Sequence, residues 1–208
     1  MSINEDVSVN MEVTILKAAG ELFLAKGFDL TSTTQIAKKA GCNQALIHYY
    51  FRTKENLFVK IFESKFIEFF SMVRPERIHG LELHDKLREI ISAHITMISK
   101  YPSLPMLVIN EITINPGRFR KIIDNVRIMI APLIMEITSD LNRAENSGSI
   151  RRVDPFHLLF NIVSLNVFMF IARPIYIQVM ENSGISYGEF VEERKEQIFD
   201  FVWNSIKK

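Results

Sequence analysis

The chain has 208 residues, of which 48% are hydrophobic and 24% are charged, and its formal net charge is +1 at pH 7. This composition is typical of a folded globular protein and excludes an intrinsically disordered chain. The single cysteine, Cys42, excludes an internal disulfide and a zinc site built from cysteines.

Helical signals open the chain. Apolar residues spaced three and four apart form an inner stripe along the first predicted helix, which Gly27 ends. Ser32 and Gln35 have the capping-box spacing that begins a helix, and Asn43 and Thr53 are favourable N-caps for two more. These four predicted helices cover about residues 9–26, 32–41, 43–51 and 53–72.

Longer helices follow, and no alternating strand pattern bounded by hairpin turns occurs. Because proline cannot continue a helix unchanged, we expect breaks or bends wherever it falls among these segments. We therefore predict an all-α chain in which three short helices precede about six longer ones. The prolines that mark these breaks and bends are Pro102, Pro105, Pro116, Pro132 and Pro174.

The stretch from Thr31 to Lys54 is distinguished by its charge. It holds four basic residues and His48 but no aspartate or glutamate, whereas residues 1–56 as a whole carry six basic and six acidic residues. A local positive surface on short helices joined by a tight turn suits a polyanion, DNA above all. Exposed basic and aromatic residues also occur on ordinary helices, so these residues alone leave both interpretations open.

The third predicted helix indicates which side chains would face such a partner. Ile47 and Phe51 lie four residues apart and are expected to pack on the neighbouring helices. Glutamine can bond adenine bidentately, and histidine and tyrosine can reach base edges or phosphates. The residues of this helix expected to project away from the core are Gln44, Ala45, His48 and Tyr49.

One ungapped pattern connects these first helices, over about residues 12 to 60. Its defining residues are Ile15, Leu16, Ala18, Ala19, Leu22, Phe23, Gly27, Phe28, Thr31, Ser32, Ile36, Ala37, Ala40 and Gly41, followed by Cys42, Asn43, Ala45, Ile47, His48, Tyr50, Phe51, Thr53, Lys54, Glu55 and Leu57. This pattern resembles the N-terminal domain of the TetR family of transcriptional regulators.

The resemblance implies a helix-turn-helix DNA-binding domain over residues 1–55 and a helical ligand-binding and dimerisation domain over residues 56–208. It implies a homodimer that places its third helices in the major groove of a palindromic DNA operator. It also implies a repressor that a small, largely hydrophobic molecule releases. The positions that match the family's DNA contacts are Thr33, Thr34, Asn43, Gln44, Ala45, His48, Tyr49, Tyr50 and Lys54.

Several positions depart from the family's usual pattern. Ala45 stands where the family usually has glycine or another small residue, His48 where it has tyrosine, and Tyr50 where it has histidine. The exchange moves two polar aromatic groups by two positions, so the base preference cannot be transferred. Cys42 replaces the usual valine, and we expect it to be a small core residue rather than a redox site.

Polar residues divide the helix predicted to begin at Asp154 into two stripes. His157, Asn161 and Ser164 share one stripe, and Asn166 lies on nearly the opposite one. One stripe could line a pocket while the other meets a partner subunit, or each polar group could satisfy a neighbouring helix end. A ligand, which the resemblance implies, would be largely hydrophobic with one or two polar groups. The candidates to hold it are His94, Asn110, Asn161 and Ser164.

The last predicted helix, which begins at Ser186, carries apolar residues after a charged start. Together with the helix before it, this helix would build a four-helix interface between two subunits, as the resemblance implies. We therefore expect a homodimer that forms through the last two helices. The apolar residues concerned are Ile198, Phe199, Phe201, Val202, Trp203 and Ile206.

Other classes of function fit the sequence less well. The histidines have no metal-ligand spacing, and no glycine-rich phosphate loop or nucleophile elbow occurs, so we predict neither an enzyme nor a cofactor or metal. The alternative function is a helical ligand-binding or scaffold protein that has lost DNA binding, and the acid-free stretch argues against it. Arg173 interrupts the apolar segment 156–180 and favours a buried helix over a membrane span. The polar N-terminal residues do not resemble a signal peptide, so we expect a cytoplasmic protein.

Overall fold

The computed structural model describes residues 3–73, 78, 80–180 and 184–208, with side chains from residue 11 onward. No strand occurs in these ranges, where a single isolated bridge joins Ile150 to Lys207. The predicted all-α class is confirmed. The helices of the described residues are α1 Ile3–Lys26, α2 Thr33–Ala40, α3 Gln44–Phe51, α4 Lys54–Met72, α5 Leu83–Lys100, α6 Leu104–Ile114, α7 Pro116–Asn146, α8 Pro155–Ile171, α9 Arg173–Met180 and α10 Tyr187–Ile206.

The chain divides into two compact units. The first unit holds the residues up to Ile67 together with Leu107–Val126, and the second holds Glu68–Met106 together with Arg127–Lys208. Parts of α6 and α7 therefore belong to the same unit as the helix-turn-helix, although they lie far from it in the sequence. The domain boundary predicted between residues 55 and 56 is a different division of the chain, and it stays a prediction.

The first unit is built around an aromatic core. The rings of Phe23 and Phe58 meet edge to face with centroids 5.0 Å apart, and Phe28 packs against them at 5.9 and 5.1 Å. Ile36 of α2 and Ile47 of α3 are also buried. Because these side chains come from α1 to α4 and from the α1–α2 connection, their burial fixes the short helices on one another.

Capping residues begin the short helices where the sequence predicts. Ser32 and Gln35 exchange both bonds of the capping box, each at 3.1 Å. Asn43 and Thr53 each accept a hydrogen bond from the backbone N–H three residues on, at 3.0 and 3.1 Å. The first helix is longer than predicted, because residues 3–8 contain no glycine or proline that would stop it.

The second unit has its own core, in which α5 packs against α8 and α10. A buried ion pair lies beside that core. The Nζ atom of Lys86, on α5, is 2.5 Å from Asp140 Oδ2 and 2.6 Å from Glu136 Oε1, both on α7. Burial alone would lower the pKa of this ammonium, but its hydrogen bonds to the two carboxylates outweigh burial and raise the pKa above its usual value.

The bend predicted near Pro174 is a break in the helix. The two helices α8 and α9 meet at Ala172 with an angle of 63° between them. Proline has no N–H to donate and its ring clashes with the carbonyl four residues earlier, which explains the break. No single described helix is long and apolar enough to cross a membrane, and α8 and α9 reach that length only as a bent pair. Pro132 lies inside α7, where the bend stays a prediction.

Candidate nucleic-acid interface

One face of α3 packs on the core and the other is exposed. Ile47 and Phe51 are buried, at 2% and 3% exposure, as their spacing predicts. Tyr49 is 69% exposed, although a large aromatic side chain is normally drawn towards a core. The exposed side chains of α3 are the four predicted ones, Gln44, Ala45, His48 and Tyr49.

The imidazole of His48 is held by the end of its own helix. Its Nδ1 atom lies 2.8 Å from the carbonyl oxygen of Arg52. Because a carbonyl oxygen can only accept, Nδ1 carries the hydrogen and donates it. In the tautomer with this hydrogen on Nδ1, Nε2 is an acceptor. Such an acceptor matches the amino groups that adenine and cytosine present in the major groove.

The turn between α3 and α4 is strained at the same residue. Arg52 has φ 65° and ψ −52°, and the N–H of Thr53 donates to the carbonyl of Phe51 at 2.7 Å. These values describe a classic γ-turn, which is rare outside glycine. A backbone of this kind costs about 1–3 kcal/mol. Because His48 donates to the Arg52 carbonyl, it helps to hold the strained turn and is itself fixed by it.

The beginnings of α2 and α3 are joined through two predicted residues. The side-chain amide of Gln44 donates to the hydroxyl of Thr33 at 2.6 Å. Thr34, beside it, is exposed, and the Oδ1 atom of Asn43 is used in capping α3. The two helix N-termini therefore share one polar surface, and backbone N–H groups at such ends bind phosphate readily.

Lys54 holds the connection between α1 and α2. Its Nζ atom donates to the carbonyl oxygens of Phe28 and Thr31, both at 3.0 Å, and lies 4.0 Å from the centroid of the Phe28 ring. The sequence-based interpretation missed this role and assigned Lys54 only to a phosphate. An ammonium group has three hydrogens, so one remains for a phosphate after these two bonds.

Two further positions complete this surface. The ring of Tyr50 meets that of Tyr49 edge to face, with centroids 5.1 Å apart. Cys42 is partly buried, and burial raises the pKa of its thiol. A raised pKa leaves less of the reactive thiolate, which agrees with the expected packing role.

The predicted ligand residues do not form one group in the second unit. Asn161 and Ser164 are exposed on α8, where the Ser164 hydroxyl donates to the carbonyl of Phe160 at 2.8 Å. His94 lies on α5 and contacts Asn166, from the other stripe of α8. Asn110 is exposed on α6 and belongs to the first unit. Only His94 among these four lies beside a buried polar partner.

His94 and Asn166 form a polar pair inside the second unit. Asn166 is fully buried, and its Nδ2 atom lies 3.1 Å from Nδ1 of His94, whose ring packs on Phe69 at 5.3 Å. Burial lowers the pKa of His94 to about 4, so the ring is neutral at pH 7. The Oδ1 atom of Asn166 is buried without a hydrogen-bond partner among the described residues. In the sequence, Asn166 stands between the apolar residues Ile162 and Met169 at helical spacing. A single amide in an apolar stripe is the signal that could have identified this site.

The opposite side of α8 is uncovered in the single chain. Its apolar residues are exposed, although the sequence predicted a buried helix, so that prediction is correct for only one side. Several large apolar side chains exposed on one helix are typical of an interaction surface. We call this surface the α8 face, and it consists of Phe156 at 73% exposure, Phe160 at 63%, Val163 at 47% and Phe168 at 66%.

An open cavity of about 490 Å³ adjoins the α8 face, between α8, α9 and α10. Ser164 lines this cavity, together with the polar residues Tyr176 and Arg194. The hydroxyl of Tyr176 is buried and has no hydrogen-bond partner in the described part of the chain. The remaining lining is almost entirely apolar, so the cavity continues the apolar surface of α8.

Two family models match the chain. The model described as bacterial regulatory proteins of the tetR family matches residues 15–61, and the model described as a tetracyclin repressor-like C-terminal domain matches residues 84–202. The first match covers the helix-turn-helix with its strained turn, and the second covers α5 to α9 and most of α10. Together they include both the exposed face of α3 and the His94–Asn166 pair.

Individual relatives agree with these matches. The HTH-type transcriptional regulator QacR of Staphylococcus aureus is 40% identical over 63 residues, which are 29% of this chain and 34% of QacR. The HTH-type transcriptional repressor NicS of Pseudomonas putida is 24% identical over 137 residues, 66% of this chain and 64% of NicS. The matched segments thus span less than two thirds of either curated relative.

A solved structure extends the likeness over nearly the whole fold. The transcriptional regulator FadR of Bacillus subtilis in complex with stearoyl-CoA superimposes with a TM-score of 0.68 at 18% sequence identity. The superposition covers 91% of this chain and 96% of FadR. At this identity the likeness concerns the fold.

Proposed function

The chain belongs to the TetR family of bacterial regulatory proteins, and we propose on this premise that it is a ligand-responsive transcriptional repressor. It binds a palindromic DNA operator as a homodimer in the cytoplasm, and a small, largely hydrophobic molecule releases it. It has no catalytic role in this proposal. The observation that carries the proposal is the exposed face of α3, whose polar side chains are already oriented by bonds within the chain.

DNA recognition is assigned to the α2–α3 surface. Thr33, Thr34 and the helix N-termini contact phosphates, and the exposed side chains of α3 contact base edges. His48 contributes an acceptor, because its Nδ1 hydrogen is committed to Arg52. Gln44 uses one amide hydrogen on Thr33 and keeps its second amide hydrogen and its Oε1 atom for adenine. Asn43, Ala45, Tyr49, Tyr50 and Lys54 complete the proposed contact set.

Dimerisation is assigned to the α8 face and α10. Phe201 of α10 is also exposed, at 65%. A second copy of the same chain covers such a surface if the two faces meet about a two-fold axis. The dimer then presents two α3 helices to two half-sites, which lie about 34–36 Å apart per helical turn of DNA.

The ligand is assigned to the second unit, with His94 and Asn166 as its polar anchor. The unpartnered Oδ1 atom of Asn166 accepts a hydrogen bond from a ligand donor, and such a bond removes the cost of a buried unsatisfied group. The FadR complex with stearoyl-CoA supports a long apolar ligand in this fold. Asn161 and Ser164, of the same unit, stay proposed contacts of secondary weight.

Release follows from a change in the spacing of the two α3 helices. A ligand that favours a different spacing weakens operator binding by the free energy with which it distinguishes the two states, typically about 1–3 kcal/mol. Operator affinity that is unchanged at saturating bound ligand would contradict this mechanism.

The DNA assignment is tested by selecting binding sequences from random duplex DNA with the full-length protein. We expect a palindrome whose half-sites are one helical turn apart, bound with a steep salt dependence. The Gln44→Ala and Tyr49→Ala variants should change the selected bases, whereas Lys60→Ala, on the exposed side of α4, should not. If the wild-type protein enriches no sequence, the proposed function is wrong.

The ligand assignment is tested with two probes that carry hydrogen-bond donors, stearoyl-CoA with its amide N–H groups and 1-hexadecanol with its hydroxyl, measured by calorimetry on the full-length protein. We expect one of these probes to bind the wild-type protein and to reduce its affinity for the operator. The Asn166→Leu variant should bind the same probe at least tenfold more weakly. Asn142→Leu is the matched control, because that amide is exposed on α7 in the same unit and belongs to no proposed site. Equal weakening by both variants would contradict the assignment to Asn166.

A further inference from the structure

The first unit also contains a buried charged pair, which is separate from the residues proposed to contact DNA. The guanidinium of Arg118, in the first turn of α7, contacts Glu111 of α6 through two hydrogen bonds, from Nε at 2.6 Å and from Nη2 at 2.8 Å. The two side chains are only 11% and 4% exposed. A bidentate pair of this kind fixes the plane and position of the guanidinium.

This guanidinium lies on the aromatic core of the first unit. Its Cζ atom is 3.6 Å from the centroid of the Phe28 ring and 5.1 Å from that of Phe58. A desolvated cation over an aromatic ring is held more strongly than one in water. Arg118 therefore connects Glu111, from the middle of the chain, to Phe28, between α1 and α2.

Phe28 is the second residue of the short connection between α1 and α2, which leads directly into the helix-turn-helix. We call residues 27–32 the α1–α2 corner. The Lys54 ammonium donates to the carbonyls of Phe28 and Thr31, and the buried hydroxyl of Thr31 donates to the carbonyl of Gly27 at 2.8 Å. Ser32, which ends the corner, is the N-cap of α2. The Phe28 ring is thus part of the connection that leads into the N-cap of α2.

We infer that Arg118 is a positioning residue for DNA recognition: clamped by Glu111, it holds the α1–α2 corner through Phe28 and so sets the orientation of α2 and α3. The inference rests on the proposed DNA-binding function and adds to it a residue far outside the helix-turn-helix. Arg118 does not contact DNA in this role, because its guanidinium is largely buried and already paired with Glu111.

Arg118 lies in the first turn of α7. Its helix, α7, continues past Val126, where the first unit ends. A displacement of the N-terminal end of α7 carries the guanidinium with it and changes its contact with Phe28. The corner is then the point at which a movement of α7 reaches α2.

The test compares Arg118→Gln with Arg120→Gln in the full-length protein. Arg120 lies on the same helix but is exposed. Because both variants replace arginine by glutamine, they change the charge by the same amount. Backbone hydrogen exchange without DNA is measured at 25 °C, together with affinity for the selected operator and its salt dependence. We expect Arg118→Gln to accelerate exchange at residues 27–34 at least tenfold and to weaken operator binding at least fivefold, with an unchanged salt slope. The control should match wild type in corner exchange.

Two further variants separate positioning from a general loss of stability. Phe28→Leu keeps an apolar side chain but removes the ring under the guanidinium, and should reproduce the effects of Arg118→Gln even if that variant folds poorly. Arg118→Lys, which retains the charge, should recover part of the affinity. Uniformly faster exchange throughout the first unit, or corner exchange equal to that of the control, would overturn the inference.

The DNA measurements distinguish this inference from the proposed function. A salt slope lowered by about one unit in Arg118→Gln would indicate a lost phosphate contact and would also overturn the positioning role. If the wild-type protein enriches no DNA sequence, the proposed function fails, while the exchange measurement still decides whether Arg118 orders the corner.

Discussion

The two compact units differ in how they satisfy their polar groups. In the first unit, Lys54 donates to two carbonyls, His48 donates to a third and Arg118 pairs with Glu111. In the second unit, the Oδ1 atom of Asn166 and the hydroxyl of Tyr176 are buried with no partner within the described residues. Buried polar groups normally have partners, so this difference calls for an explanation.

This difference in hydrogen bonding agrees with the roles proposed for the two units. In the first unit, bonds within one chain hold the side chains proposed to contact DNA, so their orientation precedes DNA binding. The second unit leaves polar atoms and the apolar α8 face without partners among the described residues, and these are the sites that we propose for a ligand and a second subunit. Each of the following experiments tests one side of this contrast.

The largest effect is expected at the α8 face. Phe160→Glu places a charge in the proposed subunit interface and should give a monomer by light scattering. Because two linked half-site contacts bind about 100-fold or more tightly than one, operator affinity should fall by at least that factor. Ile128→Glu is the control, since Ile128 is 81% exposed but lies on α7. A Phe160→Glu dimer with normal affinity would remove the assignment of this face.

The next effect concerns His94 and pH. Its pKa of about 4 lies below the usual 6.5, so the unfolded chain takes up this proton first and stability falls as pH decreases from 6.5 to 4. The loss attributable to His94 should reach about 3 kcal/mol. His94→Gln should remove this part of the pH dependence in urea unfolding at pH 7 and pH 4.5. His157→Gln, at an exposed position, should retain it. Identical pH profiles for wild type and His94→Gln would show that the ring is not kept neutral by burial.

A smaller effect is expected at Lys54 in the first unit. Lys54→Met removes two hydrogen bonds to the α1–α2 corner and one proposed phosphate contact. Operator affinity should fall about tenfold and the salt slope by about one unit. Lys60→Met, at an exposed position of the same helix, serves as the control. A loss of affinity at constant slope would limit Lys54 to its structural role.

The smallest effect is expected at the strained turn. Arg52→Gly should raise the free energy of unfolding by about 1 kcal/mol, because glycine adopts positive φ without steric cost. Arg52→Ala retains the Cβ atom and should give no such gain. Chemical denaturation of the three proteins measures the difference. If Ala stabilises as much as Gly, the turn is not the source of strain.

Much of the fold was predictable because its signals are local. Ser32 with Gln35 and Asn43 begin α2 and α3 as predicted, since a cap needs only residues three positions apart. The exposed face of α3 followed from the spacing of Ile47 and Phe51. The two carbonyl groups that accept from Lys54 could not be predicted in this way, because they lie 23 and 26 residues away in the chain.

The second unit shows the same limit. The sequence identified two polar stripes on α8 but not which of them faces inward, because helical spacing gives relative and not absolute directions. The structure places Asn166 inside, against His94, and Asn161 outside. The pair of Arg118 and Glu111 was likewise absent from the sequence-based expectations, since its importance lies in the contact with Phe28, 90 residues earlier.

The sequence by itself determined the helical class, the helix-turn-helix and the family, because caps, spacing and turn residues act over a few positions. Only the tertiary structure decided which polar groups are paired and which wait for a partner. Burial and hydrogen bonding join residues that are distant in the chain, and their free energies depend on the surroundings that folding creates.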